Sequence, residues 1–221
     1  MENTARYLRQ GTMPDVIPVF PLAGALLLPG GQLPLNIFEP RYLRMIDDVL
    51  GSTRMIGMIQ PREAESEGHK SALYGVGCAG RLTGFAESDD GRYLITLTGL
   101  RRFQIIEELG VDTPYRQVSV GWEKFSSDGL PDASSEMIDR ERLLNAMELY
   151  LDAEGLKTDW EAVEDAPSES LVVSLAMGCP FEPNEKQALL EAENNLVRAD
   201  CLMTLMEMSC VDDGANDSMM Q

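Results

Sequence analysis

Residues 19–42 read VFPLAGALLLPGGQLPLNIFEPRY, a series of short apolar runs cut by Pro21, Pro29 and Pro34 and ending at a Glu-Pro helix start. The runs have strand length. Because proline lacks the N–H that a ladder needs, these three residues and Pro18 restrict the region to edge strands, bulges and loops. At Glu39 the pattern changes. Pro40 suits a first helical turn, where the missing N–H costs nothing, and Glu39 sets negative charge at the positive end of the helix dipole. Tyr42, Met45 or Ile46, and Val49 or Leu50 then recur at helical spacing. This predicts one helix with a single apolar stripe packed on a sheet, closed by Gly51 as a left-handed C-cap. The segment holds no Ser/His/Asp set, no metal-ligand cluster and no phosphate-cradling loop, so its content is architectural.

The same punctuation continues on either side. Residues 17–22 and 26–29 are apolar runs bounded by Pro and Gly, and residues 54–60 (RMIGMIQ) read as a half-buried strand. The clearest hairpin joins residues 75–86 to 92–97 through SDDG, with Tyr93, Ile95 and Leu97 alternating on one face and turn residues that tolerate positive φ. Residues 102–108 and 115–122 follow as further strands. Past SSDGLPDASS the period becomes helical: a helix capped by Ser134 or Ser135 and closed by Gly155, a second after Pro167, a third opened by Pro183, and a last one capped by Asn194 or Asn195. The organisation expected is a flexible N-terminus over 1–13, a β-rich domain over 14–125, a linker over 126–133, a helical subdomain over 134–210 and a disordered tail over 211–221. The fold class is α+β.

Composition narrows the function. The 221 residues carry a net charge of −19, unevenly placed: 13 Lys+Arg against 15 Asp+Glu over residues 1–125, and 5 against 22 over residues 126–221. So anionic a surface repels phosphate backbones and anionic lipid heads, which excludes nucleic acid and membrane as partners. A solvated acidic face is the ordinary use of such charge, and recruitment of a basic protein by the helical half is the functional one. Apolar runs are far too short to span a bilayer, and no signal-peptide pattern follows the N-terminus, which places the chain in the cytoplasm. The four cysteines (Cys78, Cys179, Cys201, Cys210) form no CxxC pair and the single histidine, His69, sits in a polar stretch, so no metal site and no cofactor is expected.

Four blocks carry a family resemblance: PVFPLAGALLLPGGQLPLNIFEPRYLRMIDDVL, VGCAGRLTGFAESDDGRYLITLTGLRRFQII, PYRQVSV and LAMGCPFEPNEKQALLEA. In order and spacing, over about residues 15–210, they resemble the N-terminal substrate-binding domain of the Lon ATP-dependent protease, and more closely the free-standing bacterial proteins made of that domain alone. The resemblance implies a PUA-like fold, a twisted β pseudo-barrel with one helix, followed by a C-terminal helical bundle. It also implies a role in holding unfolded or hydrophobic polypeptide segments, as an adaptor or accessory in quality control beside a protease or chaperone. Catalysis does not carry over. No glycine here is followed at Walker A spacing by Gly-Lys-Ser/Thr, and no serine or lysine lies in a protease motif. The alternative is an enzyme with its site in the cleft between the β domain and the bundle.

The peptide-binding candidates are Phe38, Glu39, Arg41, Tyr42, Arg101, Arg102 and Phe103; no residue is a catalytic candidate. Phe38 and Phe103 have the shape to stack on an extended peptide, and Arg101 and Arg102 offer cations to an acidic one. Each has an ordinary use too: core burial for the aromatic residues, Tyr42 included, and pairing with carboxylates for the arginines.

Overall fold

The computed structural model describes residues 13–63 and 71–217, with side chains to residue 209. The chain divides into two compact units, Met1–Leu130 and Pro131–Gln221. The first unit is built on six strands: β1 (Val16–Pro21), β2 (Gln32–Ile37), β3 (Met55–Ile59), β4 (Val76–Glu87), β5 (Tyr93–Glu108) and β6 (Arg116–Gly121), with helix α1 (Pro40–Leu50) between β2 and β3. Their order is β2-β5-β4-β3-β1-β6, and β6 pairs again with β5, so five strands close on themselves. β5 makes this possible by its length. Its first half, residues 93–98, pairs with β2, and its second half, from Gln104, pairs with β6 on the same side, while β4 lies along the other. Residues 102–108 are thus the continuation of the hairpin strand across a register shift, where Gly80 pairs with Gly99 and Ala79 with Arg101.

Inside the closed sheet Ile17, Val19, Met55, Ile59, Ala79, Leu100, Phe103, Val118 and Val120 form the core. Phe20, on the other face of β1, meets Tyr42 of α1 at a ring-centroid distance of 4.2 Å. α1 buries Tyr42, Met45, Ile46 and Val49, the stripe expected from its period. β3, read as half-buried, is buried at all five positions, because both of its faces lie under apolar layers. Gly51 is right-handed; the left-handed residue after α1 is Arg54, at φ 54°.

The prolines of β1 sit inside the closed sheet and not on an edge. The Asp15 carbonyl accepts from the Val120 N–H of β6, and the Leu22 N–H donates to Ile59 of β3, so odd residues face β6 and even ones face β3. Pro18 therefore faces β3, whose register with β1 begins only at Val19, and Pro21 faces β6, whose register ends at Val19. Each proline falls where its side of the ladder is not formed. Between β1 and β2, Leu26, Leu27 and Leu28 are buried without being a strand. They fit because of Gly99: a Cβ there would lie 2.0 Å from the Leu28 carbonyl oxygen. Gly99 N–H donates to Gly31 and its carbonyl accepts from Gly30, both at 2.9 Å.

The segment read as a linker is anchored. Asp128 is buried and accepts the Arg102 backbone N–H at 2.8 Å, Nε at 2.9 Å and Nη2 at 2.7 Å, with Arg102 Cζ 4.3 Å from the Phe125 ring centre.

The second unit is helical: α2 (Arg140–Ala153), α3 (Trp160–Asp165), α4 (Ser168–Gly178), α5 (Pro183–Glu191) and α6 (Asn195–Asp217). α2 starts at the Asp139 cap, whose carboxylate accepts from the Arg142 N–H, instead of at Ser134 or Ser135, which lie in a separate 3-10 turn over Ala133–Met137. Gly155, at φ 65°, closes α2 as expected. α3 was not anticipated; its single turn and a half is too short for a periodic signal. α6 continues to Asp217, past the residue-210 end expected for it, since extending a formed helix costs little per residue. The expected flexible N-terminus falls, up to residue 12, outside the described residues.

Candidate functional site

β2 pairs only with β5, so its other side is unpaired among the described residues, as is the outer side of β4 beyond its register with β3. The Gly99 N–H bond to the Gly31 carbonyl sets the phase of β2. Leu33, Leu35 and Ile37 turn their backbone groups to β5, and Gln32, Pro34 and Asn36 turn theirs to the open edge. Pro34 is thus at an edge, as its missing N–H requires, and the edge offers donors at Gln32 and Asn36 with a gap between.

Beside this edge the β2, β5 and β4 strands carry a shallow groove of about 540 Å³, lined by residues that include Pro34, Asn36, Gly84, Ala86, Leu94 and Thr96. Alternation puts Leu94 and Thr96 on the face opposite Ile95 and Leu97, which are buried. The face of Ile95 belongs to α1: the hydroxyl of Tyr93 donates to Asp47 Oδ1 at 3.0 Å. The groove face has no such cover among the described residues, and Leu94 is 50% exposed. Gly84 opposite Thr96 leaves the dent in the surface. Phe38, directly after β2, is 63% exposed, the most exposed phenylalanine described.

The β4–β5 hairpin carries Glu87, Asp89 and Asp90 against Arg92. Three guanidinium groups of α1 and this hairpin are each taken by a neighbour: Arg41 by Glu39 at 2.9 Å, Arg44 by Asp48 at 3.2 Å and Arg92 by Asp90 at 2.9 Å. The hydroxyl of Ser88, then Arg92, hold the Asp90 carboxyl below its ordinary range. The hydrogen bond to Asp47, reinforced by burial, raises the Tyr93 phenol above its own. Glu87 and Asp89 are exposed and have no cationic partner among the described residues.

The predicted site residues are dispersed. Phe38 is exposed directly after β2, and Glu39 and Arg41 are half-buried at the start of α1. Tyr42, Arg102 and Phe103 are buried: they are 3%, 3% and 0% exposed, because Tyr42 packs on Phe20, Arg102 is enclosed by Asp128 and Phe125, and Phe103 fills the core. Arg101 is half-buried, with Nε making no hydrogen bond. Phe38 reverses the core placement that is ordinary for phenylalanine. Pro34 and Leu94 were missed, although the sequence signals the second: in YLITL, Leu94 is an apolar residue out of phase with Tyr93, Ile95 and Leu97. Among the described residues no group of three or more His, Cys, Asp or Glu side chains is placed to hold a metal ion, and no helix is long and apolar enough to cross a membrane.

The model of the ATP-dependent protease La (LON) substrate-binding domain matches residues 16–208. The chain belongs to the Lon substrate-binding domain family. Lon protease 2 of Myxococcus xanthus is 28% identical over 205 residues, 88% of this chain and 24% of that protein. The Lon protease of Cytophaga hutchinsonii is 27% identical over 202 residues, again 88% of this chain and 24% of that protein. The chain thus spans about a quarter of the length of these curated Lon relatives. The crystal structure of a Lon N-terminal domain protein from Xanthomonas campestris aligns with a TM-score of 0.60 at 22% identity, covering 86% of this chain and 97% of that one. The N-terminal domain of the Mycobacterium avium complex Lon protease aligns at 0.56 and 17% identity, covering 87% and 98%. The Lon N-domain fold is shared by all three.

Proposed function

We propose that this protein binds extended, apolar polypeptide segments in the groove beside β2 and carries out no chemistry on them. The observation that carries this reading is an uncovered apolar groove, with Leu94 at its centre, running along an open strand edge. In that position an extended segment can add main-chain bonds to Gln32 and Asn36 while placing alternate side chains on Leu94, Pro34 and Ala86. Phe38, exposed directly after β2, and then Glu39 and Arg41 are the further contacts proposed for such a segment. Membership of a family named for substrate binding supports the same reading. The cellular role that fits is that of an adaptor or accessory in cytoplasmic protein quality control, presenting unfolded clients to a protease or chaperone.

The test is fluorescence anisotropy of labelled apolar peptides and of a permanently unfolded, carboxymethylated protein titrated with the full chain. Saturable binding in the micromolar range that is lost in Leu94→Asp supports the reading. A broad panel with no saturable binding, or binding that Leu94→Asp leaves intact, refutes it. Release of peptide fragments or of phosphate from ATP by the same sample would refute the non-catalytic part.

A further inference from the structure

We infer that the groove between α2 and α6 is a docking surface for a basic helical segment of another protein, one that sets Lys or Arg on either side of a single apolar residue. The inference does not depend on the polypeptide reading above, since it concerns other residues in the other unit. Its first support is an apolar side chain out of phase. α2 buries Leu143, Ala146, Met147, Tyr150 and Leu151, while Glu141, Asn145, Leu149 and Asp152 follow one another at spacings of four, four and three residues, on a stripe outside that buried face. Leu149 is the apolar member of the stripe, and it is 60% exposed. With Asp139, Glu141, Arg142 and Asn145 of the same helix and its cap, and Glu207 of α6, it lines a groove of about 260 Å³.

The second support is charge left without a counterpart. Residues 131–221 carry 21 Asp+Glu against 5 Lys+Arg, a net of −16. Three of those five cations are turned onto main-chain carbonyls: Arg140 donates to Val163, Glu164 and Ala166 at 2.8–3.0 Å, Lys186 to Met177 at 3.3 Å and Arg198 to Leu189 at 2.9 Å. Arg142, the cation of the groove itself, donates to both carboxylate oxygens of Glu207 at 2.9 Å, so its fork is filled. Glu141 and Asp152, toward the two ends of the stripe, are exposed, and their side chains have no cationic partner among the described residues. They stand eleven residues apart, about 16 Å along the helix, which is the length of three helical turns. A helix laid in the groove can therefore cover Leu149 with one apolar side chain while Lys or Arg stems carry their charged heads to Glu141 and Asp152. An extended strand has nothing to pair with here, because the backbone of both helices is bonded internally. An acidic segment is repelled at both ends.

The probes are labelled, helix-stapled alanine peptides with two Lys three turns apart and one Leu between them, and the same peptide with Glu in place of Lys, each titrated against the full chain by anisotropy. An exposed pair contributes about fivefold at most, so at low salt, about 50 mM, the Lys peptide is expected to bind about tenfold tighter than the Glu peptide. At about 500 mM salt the difference should shrink below about twofold, because screening then acts within a few ångströms. Glu141→Gln with Asp152→Asn should remove the preference, and Leu149→Ser should weaken the Lys peptide about fivefold. Glu164→Gln with Asp165→Asn, the same change of charge away from the groove, should leave its affinity unchanged within about twofold. Equal losses in the two double variants would assign the binding to diffuse charge and overturn the inference, as would binding that Leu149→Ser leaves intact. No saturable binding of the Lys peptide overturns it too, while the groove beside β2, tested through Leu94→Asp with apolar peptides, stands or falls separately. Sedimentation of the free chain completes the test: a dimer dispersed by Leu149→Ser would give the groove to a second copy of the chain and overturn the inference.

Discussion

Replacing Asp128 with Ala should destabilise the first unit more than any other single carboxylate substitution. The Asp128 carboxylate accepts from the Arg102 N–H, Nε and Nη2 at 2.8, 2.9 and 2.7 Å, and the two side chains are 6% and 3% exposed. Alanine deletes these bonds together and leaves the guanidinium enclosed beside Phe125 without its carboxylate. Breaking one side of a buried pair costs about 3–5 kcal/mol, because the surviving charge remains out of water. Domain stabilities are themselves only about 5–15 kcal/mol. Asp128→Asn keeps an acceptor and loses the charge, so its cost should fall to about 1–3 kcal/mol. Arg102→Met combined with Asp128→Leu removes the pair entirely and should cost less than Asp128→Ala alone, since nothing charged is stranded. The assay is urea unfolding followed by Trp122 fluorescence in a Trp160→Phe background; Trp122 lies edge-on to Phe103 at 6.0 Å and reports on the core. With a slope of about 2 kcal/mol per molar urea, the Asp128→Ala midpoint should drop by about 2 M. A loss below about 1 kcal/mol, or a double variant as unstable as the single one, would refute the argument that charge burial governs this site.

Gly99→Ala should cost about 3 kcal/mol or more by the same urea assay, at the top of the overpacking range, because the atom in the way is the Leu28 backbone carbonyl, 2.0 Å from the new Cβ, and no side chain can yield. The Tyr115 phenol is pushed up to about 12, first by burial and then by its hydrogen bond to Asp48. The folded state therefore holds the proton that the unfolded chain releases near pH 10, so this contribution is complete below that pH and is lost as pH rises toward about 12. Discounted for screening it amounts to about 1 kcal/mol, and Tyr115→Phe should flatten that part of the stability-versus-pH curve. Burial also lowers the Lys186 ammonium below its usual range; Lys186→Met should leave stability equal or raised, measured as the thermal midpoint.

Much of this fold is legible in local pattern. The Tyr42, Met45, Ile46, Val49 stripe and the SDDG hairpin needed only period and turn chemistry, and Gly155 and Pro183 mark helix ends as such residues do. What escaped was set by distant partners. Pro18 and Pro21 announce an edge, yet β1 is internal, because two ladders of unequal span each skip one proline. Asp128 in a Ser/Gly/Pro-rich stretch looks like linker until Arg102 is placed beside it. The candidate site divides along the same line: Phe38, Glu39 and Arg41 reach the surface where β2 gives way to α1, while Tyr42, Arg102 and Phe103 follow strand and helix phase into the interior. Phase alone could have exposed Leu94, the apolar residue on the wrong face of an alternating strand.

The open edge of β2 carries an opposition that bears on how selective such a groove can be. A free strand edge invites any unpaired strand, and the usual protection is to blunt it with proline or charge. Pro34 does this in the middle of β2, so an added strand finds donors only at Gln32 and Asn36, each contributing about 1 kcal/mol net. Leu94 and Phe38, half and more exposed, offer more: covering a large apolar side chain yields about 1.5–3 kcal/mol when complete. Affinity is thereby moved from the backbone, which every polypeptide shares, to side chains, which differ. On the proposed reading such a groove would discriminate between segments by apolar spacing, and the missing donor would oppose indiscriminate edge-to-edge pairing with further copies of the chain. Substituting Pro34 with Thr would restore the donor, and the expected result is tighter but less selective peptide binding together with faster aggregation on warming.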